Sequence, residues 1–196
     1  MVQVETWHSR IEPVLNAVLE QRDRYTADHC GRVGALAFLL ARAQALHRPH
    51  REEVVLGIAA RWHDVGKVGL PDAVLFKAGP LDADEWTLMK THSVRGAEIA
   101  LAYKNLAYRH DVALAIRHHH EHYDGTGYPD GLRGKAIPLC SRLISVVDSY
   151  DAMTTRRPYK ASRSHHETMS VLASERGTKH DPEILDVFLS LASQWR

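Results

Sequence analysis

Val54-Val-Leu-Gly-Ile-Ala-Ala-Arg-Trp-His-Asp-Val-Gly-Lys67 carries nine almost wholly apolar residues straight into a histidine and an aspartate. The run is too long for a typical buried strand and its apolar residues recur at helical spacing, so it predicts a helix over about Glu52 to Asp64. At the end of such a helix an ionised carboxylate is costly unless it is paired or bound to metal. Successive helical residues splay by about 100°, so His63 and Asp64 are poorly placed to chelate one ion as neighbours and suit two ions better. Asp64 has two oxygens to share between them, and His63 serves one.

The same spacing extends outward along the chain. It predicts helices over about Ser9 to Glu20, Ala27 to Leu46, Ala107 to Glu121 and Pro138 to Met153. Asp82-Ala-Asp-Glu85 has the form of a capping box and starts a further helix running to about Tyr103. Ser164-His-His-Glu167 repeats that form, and Asp181-Pro182 places an N-cap before proline at the first helical position, so two closing helices follow. No alternating run makes a convincing strand, and the expected fold is all-α. Between Tyr123 and Pro138, Gly125, Gly127, Gly131, Gly134 and two prolines rule out a helix and predict a long ordered loop or lid.

With 196 residues, 44% of them hydrophobic and 25% charged, the chain fits one globular domain with a buried core. A formal net charge of +1 supplies no basic field for a nucleic acid polymer. The N-terminus lacks the pattern of a secretion signal, and no segment approaches the roughly 18 apolar residues of a membrane span, so a cytoplasmic protein without membrane contact is expected. Cys30 and Cys140 are isolated, as core residues are, and form no thiolate metal site.

Histidine is the unusual component, with fourteen copies. Of three His-Asp dipeptides, only His63-Asp64 ends an apolar helix. His110-Asp111 and His180-Asp181 stand beside helix starts in polar surroundings, where surface roles are expected. Arg117-His-His-His-Glu-His122 packs four imidazoles into five positions. His119 and His120 extend the stripe of Val112 and Ile116, but His118 follows Leu114 equally well, so periodicity leaves open which two of the three are ligands. His122 lies beyond the stripe and is expected to be solvated. Asp148 is an acid in the apolar run Leu143-Ile-Ser-Val-Val147, which favours a metal ligand over a hydrogen-bonded buried acid. His29 and His92 carry weight only as members of the set.

Taken together, His63-Asp-Val-Gly-Lys-Val-Gly-Leu-Pro-Asp72, Lys77-Ala-Gly-Pro-Leu81, His92, His119-His-Glu-His-Tyr-Asp-Gly-Thr-Gly-Tyr-Pro-Asp130 and Asp148-Ser-Tyr-Asp-Ala-Met-Thr-Thr-Arg-Arg-Pro-Tyr-Lys160 closely resemble the HD-GYP family of bacterial cyclic-dinucleotide phosphodiesterases. The resemblance begins near Tyr25, which makes residues 1–24 a helical extension and residues 25–196 the catalytic region of one HD-type domain. It implies seven metal-binding positions: His29, His63, Asp64, His92, His119, His120 and Asp148. One ion would take His29, His63, Asp64 and Asp148, and the other Asp64, His92, His119 and His120. Some family members hold a third metal through a glutamate four residues before the first histidine. That position is Tyr25 here, so two metals are expected, and the departure bears on whether hydrolysis continues to mononucleotides. Ala78 replaces a common proline and His180 an aromatic residue, both read as minor changes.

Imidazole and carboxylate ligation without thiolate, with open positions for water and phosphate, favours six-coordinate iron or manganese. Two such ions lower the pKa of a bridging water, so the resemblance implies that a metal-bridging hydroxide, centred on Asp64, attacks cyclic di-GMP and yields linear pGpG. By the same resemblance Lys67 contacts the substrate phosphate or assists the leaving oxygen, while Arg157 and Lys160 grip phosphates. Tyr128 would shape the pocket or pack on a base, and Asp151, one turn after Asp148, would orient a ligand or cap local backbone. Another cyclic dinucleotide such as cyclic GMP-AMP is the alternative substrate. A non-catalytic receptor or docking module is the alternative class, against which a complete ligand set argues. Family members commonly carry sensory domains, so the chain is either an excised domain or controlled by a separate signalling protein.

Overall fold

Helical spacing in the sequence resolves into nine α-helices in the computed structural model, which describes residues 5–43, 49–156 and 162–195, with side chains from residue 13 onward. They are α1 (Glu5–Arg22), α2 (Arg24–Ala43), α3 (His50–Trp62), α4 (Asp72–Leu75), α5 (Ala83–Ala102), α6 (Arg109–Arg117), α7 (Leu139–Thr154), α8 (His165–Ser174) and α9 (Pro182–Ala192). Short 3-10 turns span Val65–Gly69 and Gly134–Ala136. Among the described residues the β pairing is a single isolated bridge, Arg176 to His180. The fold is all-α, as the spacing predicts.

Local chemistry sets the helix ends. Both capping boxes form: Asp82 accepts from the Glu85 amide and Ser164 from the Glu167 amide, with each glutamate reaching back to the cap backbone. Asp181 caps α9 ahead of Pro182. The α2 helix begins three residues earlier than its apolar pattern, because Asp23 accepts from the Tyr25 amide at 3.0 Å and the Thr26 hydroxyl at 2.6 Å. The predicted end of that helix near Leu46 lies outside the described residues. The α6 helix stops at Arg117 rather than Glu121, and its last carbonyls turn to the histidines that follow.

The centre of the molecule is α2, α3, α6 and α7, with α5 against α6 and the Val65–Gly69 turn, and α8 and α9 against α7. Val33, Leu40, Leu56, Ile116, Leu143 and Phe188 are fully enclosed in one apolar cluster. Alanines at 37, 59, 60 and 115, all at 0% exposure, let the central helices approach closely. This packing turns the C-terminal end of α3 and interior positions of α2, α5 and α7 towards a common point. Gly66 is what brings the Val65–Gly69 turn onto α5, since a Cβ there would meet the His92 carbonyl oxygen at 2.0 Å and the Gly96 nitrogen at 2.5 Å.

Candidate metal centre

Seven side chains converge at that point from five separate segments. His63, His92 and His119 share one device: each Nδ1 donates to the backbone carbonyl three residues earlier, to Ala60 at 2.8 Å, Met89 at 2.7 Å and Ile116 at 2.6 Å. A carbonyl only accepts, so these bonds place the proton on Nδ1 and leave each Nε2 lone pair facing inward. His29 is held differently, its Nδ1 donating to Asp151 at 2.7 Å, and Asp151 in turn takes a two-bond grip from Arg32 at 2.7 and 3.0 Å. This is the ligand-orienting alternative for Asp151.

Asp64, 2% exposed, stands in the middle. Its Oδ1 lies 3.3 Å from His92 Nε2, while its Oδ2 lies 3.7 Å from His63 Nε2 and 3.8 Å from His29 Nε2. The two oxygens thus face two different groups of donors. On one side the donor atoms of Asp64, His92, His119 and His120 all lie within 4.8 Å of one another; on the other, so do those of His29, His63 and Asp148. Asp148 Oδ1 is 3.0 Å from His29 Nε2 and 3.9 Å from His63 Nε2. Asp64 belongs to the first group by this measure, and its Oδ2 lies 3.7 and 3.8 Å from the His63 and His29 nitrogens of the second.

The donor set fits a cation. His119 Nε2 is buried and has no hydrogen-bond partner among the described residues. Leaving such an atom unsatisfied costs about 1–3 kcal/mol, and a lone pair directed into a cage of imidazoles and carboxylates is a metal donor's arrangement. The electrostatics agree. Burial, reinforced by His63 and His92, pushes the His119 pKa down to about 3, and burial beside His119 and His92 pushes His120 well below the usual histidine range, so both remain neutral ligands. Burial works against ionised Asp64, but Lys67, His63 and His92 hold its pKa well below the ordinary carboxylate value. Asp148 is likewise held far down, chiefly by the His29 hydrogen bond working against its burial. Burial also opposes a charged His29, yet hydrogen bonds to Asp148 and Asp151 raise its pKa to about 9, so a cation entering here displaces a proton.

Lys67 Nζ donates to Asp64 Oδ2 at 2.5 Å from the 3-10 turn that succeeds α3. Tyr128 lies in the glycine-rich loop with its ring against His120, the centroids 4.9 Å apart and the planes 30° off parallel, and with the Lys90 ammonium 5.4 Å from its ring centre. Tyr25 lays its ring nearly parallel to His29. Arg157 and Lys160 lie outside the described residues. Of the residues singled out from sequence, the structure brings together His29, His63, Asp64, Lys67, His92, His119, His120, Tyr128 and Asp148 around one cavity of about 470 Å³ or immediately behind its wall.

The triple histidine, which spacing leaves open, divides as His119 and His120 against His118, whose Nδ1 donates to the Leu114 carbonyl at 3.0 Å and whose Nε2 meets Asp130 at 2.8 Å, turned away from the cage. Two expectations are corrected. His122 is half-buried on the cavity wall rather than solvated, and its Nδ1 meets the Thr126 hydroxyl at 3.0 Å. His180 and Asp181, expected at the surface, are 1% and 2% exposed. Asp181 is paired with Arg142 at 2.5 Å while capping α9, and His180 lies between Ser145 at 3.3 Å and Glu175 at 3.2 Å. Substitution of an aromatic residue by His180 thus brings polar contacts into the packing. His110 is exposed and Asp111 pairs with Arg51 at 2.6 Å, as expected.

Cys30 is buried as expected, but its sulfur also lies within 4.8 Å of donor atoms of His63 and Asp64. Burial, with Asp64 adding to it, raises that thiol and keeps it protonated, so it offers no thiolate.

Sequence reasoning assigned no role to Glu121, which organises the loop. It is 2% exposed, and its carboxylate accepts from the amides of Asp130 at 2.7 Å and Leu132 at 3.1 Å. Gly127 packs directly beneath, where a Cβ would meet the His122 nitrogen at 2.2 Å. The turn before α9 holds the other side of the loop, its Thr178 and Lys179 carbonyls accepting from the amides of Asp124 at 2.8 Å and Tyr123 at 3.1 Å. Trp86, Met89 and Lys179 also line the cavity, and no periodicity in the sequence distinguishes them from other helix-surface residues.

An all-helical domain that gathers a His-Asp pair with further histidines and a distant aspartate around buried donor atoms has the architecture of an HD domain. A family model described as "HD domain" matches residues 11–184, and the chain belongs to that family, in its HD-GYP branch. It is 39% identical over 176 residues to the cyclic di-GMP phosphodiesterase response regulator RpfG of Xanthomonas campestris, covering 89% of this chain and 46% of the relative. It is 34% identical over 185 residues to the 3'3'-cGAMP-specific phosphodiesterase 2 of Vibrio cholerae, covering 94% of this chain and 35% of the relative. The chain therefore spans less than half the length of these curated relatives. A solved cyclic GMP-AMP-specific phosphodiesterase of V. cholerae shares the fold, with a TM-score of 0.71 at 20% identity over 96% of this chain and 49% of that one. Among the described residues no helix is long and apolar enough to cross a membrane.

Proposed function

We propose that the protein is a cytoplasmic phosphodiesterase that hydrolyses cyclic di-GMP to linear pGpG at a centre of two divalent cations, iron or manganese, and that GMP forms only if a second hydrolysis follows. The observation that carries the reading is the position of Asp64, whose two oxygens face two separate groups of imidazole and carboxylate donors. His29, His63, Asp64 and Asp148 would hold one ion, and Asp64, His92, His119 and His120 the other. A pair of divalent cations so held supplies acidified water and positive charge for in-line displacement at phosphorus.

The chain's own residues do the rest. Carbonyls one turn back lock three imidazoles with Nε2 inward, and Arg32 with Asp151 does the same for His29. Lys67 stands on the cavity wall with its ammonium beside Asp64, where it can donate to a phosphate oxygen or to the leaving oxygen. Tyr128 closes another wall against His120, and Arg157 with Lys160 is assigned to grip the phosphates of the dinucleotide. Names of relatives support both cyclic di-GMP and cyclic GMP-AMP as the substrate class. A separate sensory or signalling protein is the proposed source of control.

The test is elemental analysis of protein purified without oxygen, coupled to chromatography of products from cyclic di-GMP and cyclic GMP-AMP in parallel. About two metals per chain and pGpG as the main product are expected. Asp64→Ala and His120→Ala should lose metal and turnover together. Turnover that persists in metal-depleted Asp64→Ala protein refutes the mechanism, and tight binding without product favours a receptor.

A further inference from the structure

We propose that Trp86 is a nucleobase platform, stacking one purine of the cyclic dinucleotide while its phosphate reaches the metal centre. The inference rests on the phosphodiesterase reading above and adds to it the residue that recognises a base. Trp86 is 51% exposed yet lines the same cavity as the His/Asp cage. A large aromatic residue left half in water at the mouth of a polar cavity offers a flat apolar face that a purine can cover. No ring or cation lies against it among the described residues, whereas the other aromatic ring in the cavity, Tyr128, already lies against His120 and Lys90. Tyr128 organises the wall, and Trp86 is the ring that remains available.

Placement on α5 fits. Trp86 and His92 are six residues apart on one helix, a rise of about 9 Å along its axis, which is the kind of span a nucleoside covers from phosphate to base. Met89 stands one turn from Trp86 towards the cage, and Leu81 joins them from the segment before α5, so this flank of the cavity is apolar. Ala152, Met153 and Val171 add further apolar lining, beside the polar Ser145, Ser149, Arg163, Glu175 and Lys179.

Base stacking on an aromatic side chain, read by alanine substitution, corresponds to roughly 5–150-fold in affinity, and a ring already half in contact with protein belongs at the lower end. The experiment compares kcat/KM for cyclic di-GMP with kcat/KM for methyl p-nitrophenyl phosphate, a diester without a nucleobase, in the metal-loaded protein. Trp86→Ala is expected to lower the ratio about tenfold through the KM for the dinucleotide, Trp86→Phe to restore most of it, and Trp86→Leu to leave it low. If wild-type protein cleaves cyclic di-GMP and the ratio stays within about twofold in Trp86→Ala, or recovers in Trp86→Leu, the platform is refuted while the phosphodiesterase stands. If wild-type protein cleaves the simple diester but neither cleaves nor binds cyclic di-GMP by calorimetric titration, the substrate reading itself has failed. Where binding occurs without cleavage, the dissociation constant takes the place of KM in the same comparison.

Discussion

Replacing Glu121 with glutamine removes a charge and almost no volume, which makes it a clean test of what holds the glycine-rich loop. The carboxylate accepts two backbone amides, from Asp130 at 2.7 Å and Leu132 at 3.1 Å, in a site only 2% exposed. Hydrogen bonds to a charged acceptor contribute about 1.5–3 kcal/mol each, and neutral ones about 1 kcal/mol. Glutamine keeps one carbonyl oxygen, so one bond weakens to the neutral value while the other is replaced by an NH2 group facing an N–H. The loop therefore loses about 2–4 kcal/mol of attachment. Hydrogen exchange at the Asp130 and Leu132 amides should accelerate by about 30-fold or more, at tenfold per 1.4 kcal/mol. The melting temperature should fall by about 4–8 °C if about 2 kcal/mol of the loss is felt globally. Turnover should fall as well, because the loop carries Tyr128 against His120. Exchange at both amides within about threefold of wild type, with an unchanged melting temperature, would refute the view that Glu121 anchors this loop.

Gly66→Ala should both destabilise the protein and deplete it of metal, because the new methyl group would press on the His92 carbonyl and the Gly96 nitrogen, and main chain cannot swing aside as a side chain can. Wild-type metal content and an unshifted melting curve would contradict that. The metal-free protein should be most stable near pH 6.5. His29 has its pKa raised from 6.5 to about 9, so the stabilisation from its proton is complete below about 6.5 and is lost as pH rises through about 9. His119 is depressed to about 3, so below 6.5 the unfolded chain binds a proton that the folded chain refuses, and stability falls with acid. Urea denaturation of chelated protein across this range checks the shape, and stability that rises steadily to about pH 9 would be inconsistent with it.

Helix order, both capping boxes and the cap before Pro182 were legible because those signals are local: a side chain and an amide three residues away. The assignment of ligands among His118, His119 and His120 was not, because α6 ends at Arg117 and the 100° step on which periodicity depends stops there. His118 follows Leu114, which is 47% exposed, and is buried with a hydrogen bond to Asp130 twelve residues ahead. Long-range contacts of that kind leave no periodic trace. The same holds for His180, buried against Ser145 on another helix, and for Asp151, whose grip on His29 crosses 122 residues of chain. Where spacing left three histidines open, the resemblance names His119 and His120, the two whose donor atoms lie beside Asp64 and His92.

The carbonyl brackets behind His63, His92 and His119 have a consequence for how such centres tolerate change. Each of those rings takes its bearing from its own stretch of backbone, so surrounding side chains can be exchanged without unaiming it. His29 depends on two residues borrowed from elsewhere in α2 and α7, and drift at Arg32 or Asp151 reaches the ion through it alone. Three mounts of this cage are portable to another helical scaffold as short segments, whereas the fourth must be transplanted with its neighbours.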